Sequence, residues 1–97
     1  MIDLSTEHLK LVKKILLKRA PFVKARVFGS RVAGTSVEYS DLDIAIEGQE
    51  RMDFAMIGNL KMDFEESPLP FRVDILDFNA LSPEFKKAIE SRCEVLI

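Results

Sequence analysis

Three carboxylates and one Gly-Ser step are the residues of this chain whose types and spacing can do chemistry. Asp41 and Asp43 stand two apart in a segment, Asp41 to Glu47, where Leu42, Ile44 and Ile46 alternate with Asp41, Asp43 and Ala45. That alternation predicts a half-buried strand, so both aspartates leave one face with Cα atoms about 6.5–7 Å apart. Asp74 takes an equivalent place in a second segment, Phe71 to Leu76, where Val73 and Ile75 face one way and Arg72 and Asp74 the other. If the two strands are neighbours, three carboxylates meet in a small area. They repel, and at least one then tends to hold a proton. Divalent cations remove that repulsion, and carboxylate oxygens are ligands that Mg²⁺ prefers. Two such ions can hold the attacking and leaving oxygens of an in-line displacement at phosphorus.

A second element of the constellation precedes the first. Gly29-Ser30 follows a short apolar segment ending at Phe28 and opens a predicted short helix. Glycine lets the backbone approach a ligand closely, and N–H groups at a helix start favour anions, phosphate above all. The Ser30 hydroxyl can donate to a phosphate oxygen, and Arg31 can add a charge-assisted bond. A phosphate cradle beside carboxylate-held metals asks for a nucleoside triphosphate. Each piece alone is common; an Asp-x-Asp strand also occurs in metal-dependent glycosyltransferases. The combination is specific: Gly-Ser, ten residues, Asp-x-Asp, then an apolar strand carrying one more Asp.

The elements that must position these residues are legible from periodicity. Ser5 or Thr6 caps a helix running to about Arg19, with Leu9, Leu11, Val12, Ile15 and Leu16 on one broad face and the lysines mainly on the other. Ala25 to Phe28 reads as a strand, Ser30 to Ala33 as a short helix broken by Gly34, and Val37 to Ser40 as a turn. A helix is predicted from Asp53 to about Glu66, with Met56, Ile57, Leu60 and Phe64 as its apolar stripe; Phe54 and Met62 fall at or beyond its edge. Ser82 caps a last helix starting at Pro83, and Glu94 to Ile97 forms a short final strand. The order implies an α/β domain of α+β character, 1–97, with helices on one face of a small sheet and the acidic face open.

The remaining polar residues have plainer readings. Asp77 is off the face of Asp74 and reads as a turn residue. Glu47 reads as solvated, Arg72 as a counter-charge for Asp74 or a triphosphate contact, His8 as a packing or capping residue, and Tyr39 as packing its loop. The lone Cys93 excludes an internal disulfide framework and reads as a small buried residue of the last helix. The net charge of −2 hides an asymmetry: eight basic and no acidic residues lie between His8 and Val37, against fourteen acidic and six basic from Glu38 onward. The basic segment suits a solvated helix face, phosphates or an acidic partner. The overall acidity argues against a dedicated nucleic-acid binder. Without a signal-like start or a long apolar run, the chain is expected to be cytoplasmic, with no membrane association.

The stretches Phe28-Gly-Ser-Arg-Val-Ala-Gly34, Tyr39-Ser-Asp-Leu-Asp-Ile-Ala45 and Arg72-Val-Asp-Ile-Leu-Asp77 resemble the nucleotidyltransferase superfamily, in particular its minimal (MNT) branch. The resemblance covers nearly the whole chain and leaves no acceptor-recognising helical domain like that of larger members. It implies a mixed sheet, Mg²⁺ (two ions) and transfer of a nucleoside monophosphate from a triphosphate. It assigns Gly29 and Ser30 to the triphosphate, Asp41 and Asp43 to both metals, and Asp74 to the catalytic metal and activation of the acceptor. Minimal members are often antitoxins of HEPN-domain toxins, which implies such a toxin as partner, ATP as substrate and a toxin tyrosine as acceptor. The other readings are an antitoxin that acts by binding alone, and a nucleotidyltransferase acting on a small molecule or RNA terminus.

Overall fold

The computed structural model describes residues 2–97. Helix α1 (Thr6–Arg19) is capped as its sequence predicts, the Ser5 hydroxyl accepting from the His8 N–H at 3.1 Å. Val12 and Leu16 are wholly buried, and the lysines of the helix point outward or along its edge. After the turn at Pro21, β1 (Lys24–Phe28) leads into the four-residue helix α2 (Ser30–Ala33). Strand β2 (Leu42–Glu47) follows, then α3 (Phe54–Glu65), capped by Asp53, and β3 (Val73–Asp77). A 3-10 turn (Phe78–Ala80), α4 (Pro83–Ser91), capped by Ser82, and β4 (Glu94–Val95) complete the order.

The four strands form one mixed sheet in the order β3-β2-β1-β4. β1 runs antiparallel to both β2 and β4, whereas β2 and β3 are parallel and joined through α3. A parallel pair needs such a crossover, while antiparallel neighbours can be linked by less. β4 is only two residues long, but its ladder continues: the Leu96 N–H donates to Ala25 and the Ala25 N–H to Ile97, at 2.8 and 3.1 Å.

Strand alternation divides the side chains between two faces. Ala25, Val27, Leu42, Ile44, Ile46 and Ile75 join Val12, Leu16, Leu60 and Phe64 in the main core beneath α1 and α3. The opposite face was expected to stay open, and it is only partly so. Ala45 packs with Phe78 and Ile89 in a second, smaller core, flanked by Phe28, Leu81 and Cys93. The 3-10 turn and α4 therefore cover one part of the acidic face. The physical reason is the buried Ala45, a small residue on the polar parity of β2 that leaves room for the Phe78 ring and Ile89. Cys93 lies just past α4 rather than within it, and is partly buried there. Phe54 and Met62 are exposed, as their place outside the α3 stripe implies. Among the described residues, no helix is long and apolar enough to cross a membrane.

Candidate functional site

The sheet register brings the site together. Parallel pairing sets Asp43 directly against Asp74, and antiparallel pairing sets Phe28 against Asp43. Adjacent strands lie about 4.8 Å apart, so Asp43 and Asp74 are side-chain neighbours on one face. Asp41 lies one residue before β2 and is exposed, while Asp43 and Asp74 are half-buried. The aspartates are electrostatically one cluster. The Asp43 carboxyl is held above the ordinary aspartate range, first by its own burial, then by the charges of Asp74 and Asp41.

Gly29 sits at the end of β1, against this cluster. Its backbone combines a positive φ (+81°) with an extended ψ (−156°), a region that residues with a Cβ rarely adopt. A Cβ at this position would stand 2.3 Å from Asp43 Oδ2. The glycine is thus required twice: by its backbone angle, and by the room its missing side chain leaves beside a carboxylate. The Gly29 carbonyl accepts from Val32 and Ala33, and the Ser30 carbonyl from Gly34 and Thr35, which closes the single turn of α2. Ser30, next in the chain to Gly29, opens that turn and is half-buried.

Arg31 does not take the phosphate-contacting place expected of it. The residue is 6% exposed, and its guanidinium turns into the fold and donates to the backbone carbonyls of Ser40, Glu38 and Asp3. Those acceptors lie 9, 7 and 28 residues away in the chain, so no local pattern announces them. Arg72 does stand at the site, its Nε 3.4 Å from Asp74 Oδ1, but it is largely exposed and so a weak counter-charge. Glu47 is not freely solvated: it accepts from Arg26 at 2.7 Å. Asp77 is the last residue of β3 rather than a turn residue, and it caps the 3-10 turn, accepting from the Met52 and Asn79 N–H groups. His8 packs its ring edge-on to Phe71. Tyr39 is exposed and does not pack its loop.

The donor set fits Mg²⁺. The candidate ligands are all carboxylates, and burial together with mutual repulsion makes Asp43 costly to ionise without a cation. Among the described residues, no group of three or more His, Cys, Asp or Glu side chains is arranged to hold a metal by itself. An incomplete set is what Mg²⁺ at a phosphate site uses, since water and phosphate oxygens complete its shell. Beside Asp74, a groove of about 480 Å³ opens between α3 and the free edge of β3, lined by Lys61, Phe64, Leu69, Phe71 and Arg72.

Residues 10–97 match the model of the polymerase beta nucleotidyltransferase family. The chain belongs to that family. It is 44% identical over 88 residues to the "Probable protein adenylyltransferase MntA" of Haemophilus influenzae, covering 91% of this chain and 77% of that one. Among solved structures, it superposes on a chain of a toxin–antitoxin complex with AMP-PNP (TM-score 0.76, 24% identity, 96% of this chain and 73% of that one). It also superposes on a chain from the complex of a tri-AMPylated Shewanella oneidensis HEPN toxin with its MNT antitoxin (TM-score 0.71, 22% identity, 94% and 70%). At these identities the structural matches establish the fold: a nucleotidyltransferase sheet with its flanking helices.

Proposed function

We propose that this nucleotidyltransferase is the antitoxin of a HEPN/MNT pair and transfers AMP from ATP to a tyrosine of its toxin, in the cytoplasm. The observation that carries this reading is the in-register pairing of Asp43 with Asp74 beside Gly29, whose missing Cβ leaves space against Asp43. The relative named as an adenylyltransferase supplies the nucleotide and the protein acceptor.

In this reading, Gly29 and Ser30 hold the triphosphate, with the Ser30 hydroxyl donating to a phosphate oxygen. Asp41 and Asp43 would hold the two Mg²⁺ ions, with Asp74 contributing to one of these sites. When bound, Mg²⁺ neutralises the charge of the carboxylates and of the triphosphate. The acceptor tyrosine enters along the groove that ends at Asp74. Its oxygen attacks the α-phosphorus in line, the new P–O bond forms as the bond to the β-phosphate bridge breaks, and pyrophosphate leaves. Asp74 takes the acceptor proton. Most of the acceleration comes from positioning and charge neutralisation.

The test is incubation with the HEPN protein encoded beside this chain, labelled ATP and Mg²⁺. The expected result is label on a toxin tyrosine, lost with Asp74→Asn while the fold persists. A stable complex without label, with neutralisation surviving Asp41→Asn/Asp43→Asn, would replace transfer by binding alone. Label on RNA ends or on a small molecule instead of protein would reassign the acceptor.

A further inference from the structure

A charge buried without an opposite charge is expensive, and Arg31 is such a case. It is 6% exposed, and the partners of its guanidinium are carbonyls rather than carboxylates. Nε and Nη2 both donate to the Ser40 carbonyl at 3.0 and 2.8 Å, Nη2 also to Glu38 at 3.1 Å, and Nη1 to Asp3 at 2.8 Å. The Phe71 ring lies under the guanidinium, 4.4 Å from ring centroid to Cζ. An apolar side chain could fill this space without the desolvation cost, so the arrangement calls for a reason beyond packing.

All but the Asp3 contact fall on segments that lead to a site residue. The Ser40 carbonyl belongs to the planar peptide that continues into Asp41, so clamping it fixes the plane from which the Asp41 Cα departs. Phe71 immediately precedes Arg72, whose carbonyl accepts from the Leu42 N–H at 2.9 Å, between Asp41 and Asp43. Arg31 itself follows Ser30 on α2. The N-terminal strap is bound in turn: the Asp3 N–H donates to the Arg31 carbonyl at 2.7 Å, and the Ser36 hydroxyl donates to the Asp3 carboxylate. One planar fork thus joins the Gly29-Ser30 turn, the approach to Asp41 and the approach to Asp74.

We infer that Arg31 is a positioning residue that sets the spacing of the phosphate turn and the metal-binding aspartates, without touching the nucleotide. The inference rests on the metal–triphosphate reading of the site. Lysine cannot replace it, because a single ammonium does not span three carbonyls in one plane or stack on a ring in the same way.

The experiment is Mn²⁺ binding, followed by electron paramagnetic resonance in the presence of a non-hydrolysable ATP analogue. It compares the full chain with its Arg31→Lys, Arg31→Gln, Phe71→Leu and Arg19→Gln variants, with circular dichroism to confirm folding. Arg31→Lys and Arg31→Gln should weaken Mn²⁺ binding by about 10–100-fold, as loss of a group that orients ligands does. Turnover should fall alongside, while the KM for ATP at saturating Mg²⁺ stays near its wild-type value. Phe71→Leu keeps all four hydrogen bonds and should weaken Mn²⁺ binding in the same direction by less. Arg19→Gln, which loses a surface ion pair, should leave it unchanged. If the Arg31 variants do not fold, an unweakened metal affinity in folded Phe71→Leu overturns the proposal. A raised KM for ATP with metal affinity and kcat retained also overturns it, making Arg31 a direct phosphate contact. Unchanged binding in folded Arg31→Lys overturns the proposal alone. Absence of Mn²⁺ binding by the wild-type chain overturns the metal–triphosphate reading and this inference with it.

Discussion

At one end of the sheet Asp41, Asp43 and Asp74 crowd together, with the exposed Arg72 as the cation beside them. At the other end the carboxylates of the same two strands are each satisfied. Glu47 accepts from the nearly buried Arg26, which also lies over the Phe78 ring at 4.4 Å. Asp77 accepts from the Met52 N–H at 2.7 Å and from Asn79 at 3.2 Å, and so fastens the β2–α3 loop to the 3-10 turn. Strand parity puts Glu47 on the face of Asp41 and Asp43, so periodicity alone does not separate a ligand from a structural acid. Partnership separates them. Where the fold supplies a buried or backbone donor, the carboxylate holds the structure together; where, among the described residues, it supplies only the exposed Arg72, the carboxylates stay available to a bound cation.

The largest way to sharpen that contrast is Asp43→Asn. Nucleotide transfer should fall by about 10²–10³-fold or more, the scale of losing one preorganised electrostatic group in an active site. The fold should become more stable at neutral pH, because the substitution removes a carboxylate whose ionisation its surroundings oppose. The sign follows from the raised Asp43 pKa. The folded chain keeps this proton to higher pH than the unfolded chain does. The stability it contributes is present below the ordinary aspartate value of about 3.9 and is lost as pH rises through the raised one. Melting temperatures of wild type and variant measured across that range should diverge as pH rises. Parallel curves would break the comparison.

Gly29→Ala comes next. The positive-φ, extended backbone, a region essentially reserved for glycine, should cost about 1–3 kcal/mol, and the new methyl must displace the Asp43 carboxylate that it would meet. Shifts of about 1 Å at a reacting centre can cost about 10²-fold in rate. A steady-state assay together with a thermal melt should therefore show a loss of turnover larger than the loss of folded protein explains.

Arg26→Met tests the opposite end. Losing a charged hydrogen bond in a largely buried setting should cost about 1.5–3 kcal/mol. Calorimetry should register this as a melting temperature lower by roughly 6–24 °C. Turnover per folded molecule should be unchanged, since Arg26 touches no residue of the cluster. A matching fall in turnover would mean that the two ends are not independent.

The smallest effect is expected at the surface pair Arg19–Asp63, which joins α1 to α3 at 2.8 Å. The Arg19 hydrogen bond holds the Asp63 carboxyl below the ordinary range. In Arg19→Gln, the Asp63 titration followed by NMR should move back up. The melting temperature should shift little, and less still at high salt.

Much of this was readable before any coordinates. The caps at Ser5 and Ser82 are short-range chemistry, a side-chain oxygen meeting an N–H three residues on. Strand parity put Asp41 and Asp43 on one face and Asp74 on the polar side of its own strand. The 3-10 turn was missed because its cap, Asp77, looks from sequence like any turn aspartate. The second small core was missed because Ala45 carries no sign of what will cover it.

By itself, then, the sequence determined the order of α-helices and strands, the faces of the strands and the candidacy of Gly29, Ser30, Asp41, Asp43 and Asp74, because these depend on periods of 2 and 3.6 and on neighbours in the chain. Only the tertiary structure decided that Asp43 faces Asp74, that a Cβ at Gly29 would strike Asp43, and that Arg31 turns inward rather than toward a phosphate. Strand register and the fate of a long side chain are settled by partners beyond the local turn of chain, 7 to 28 residues away for Arg31. Local pattern cannot carry that information; packing and hydrogen bonding in the assembled sheet can.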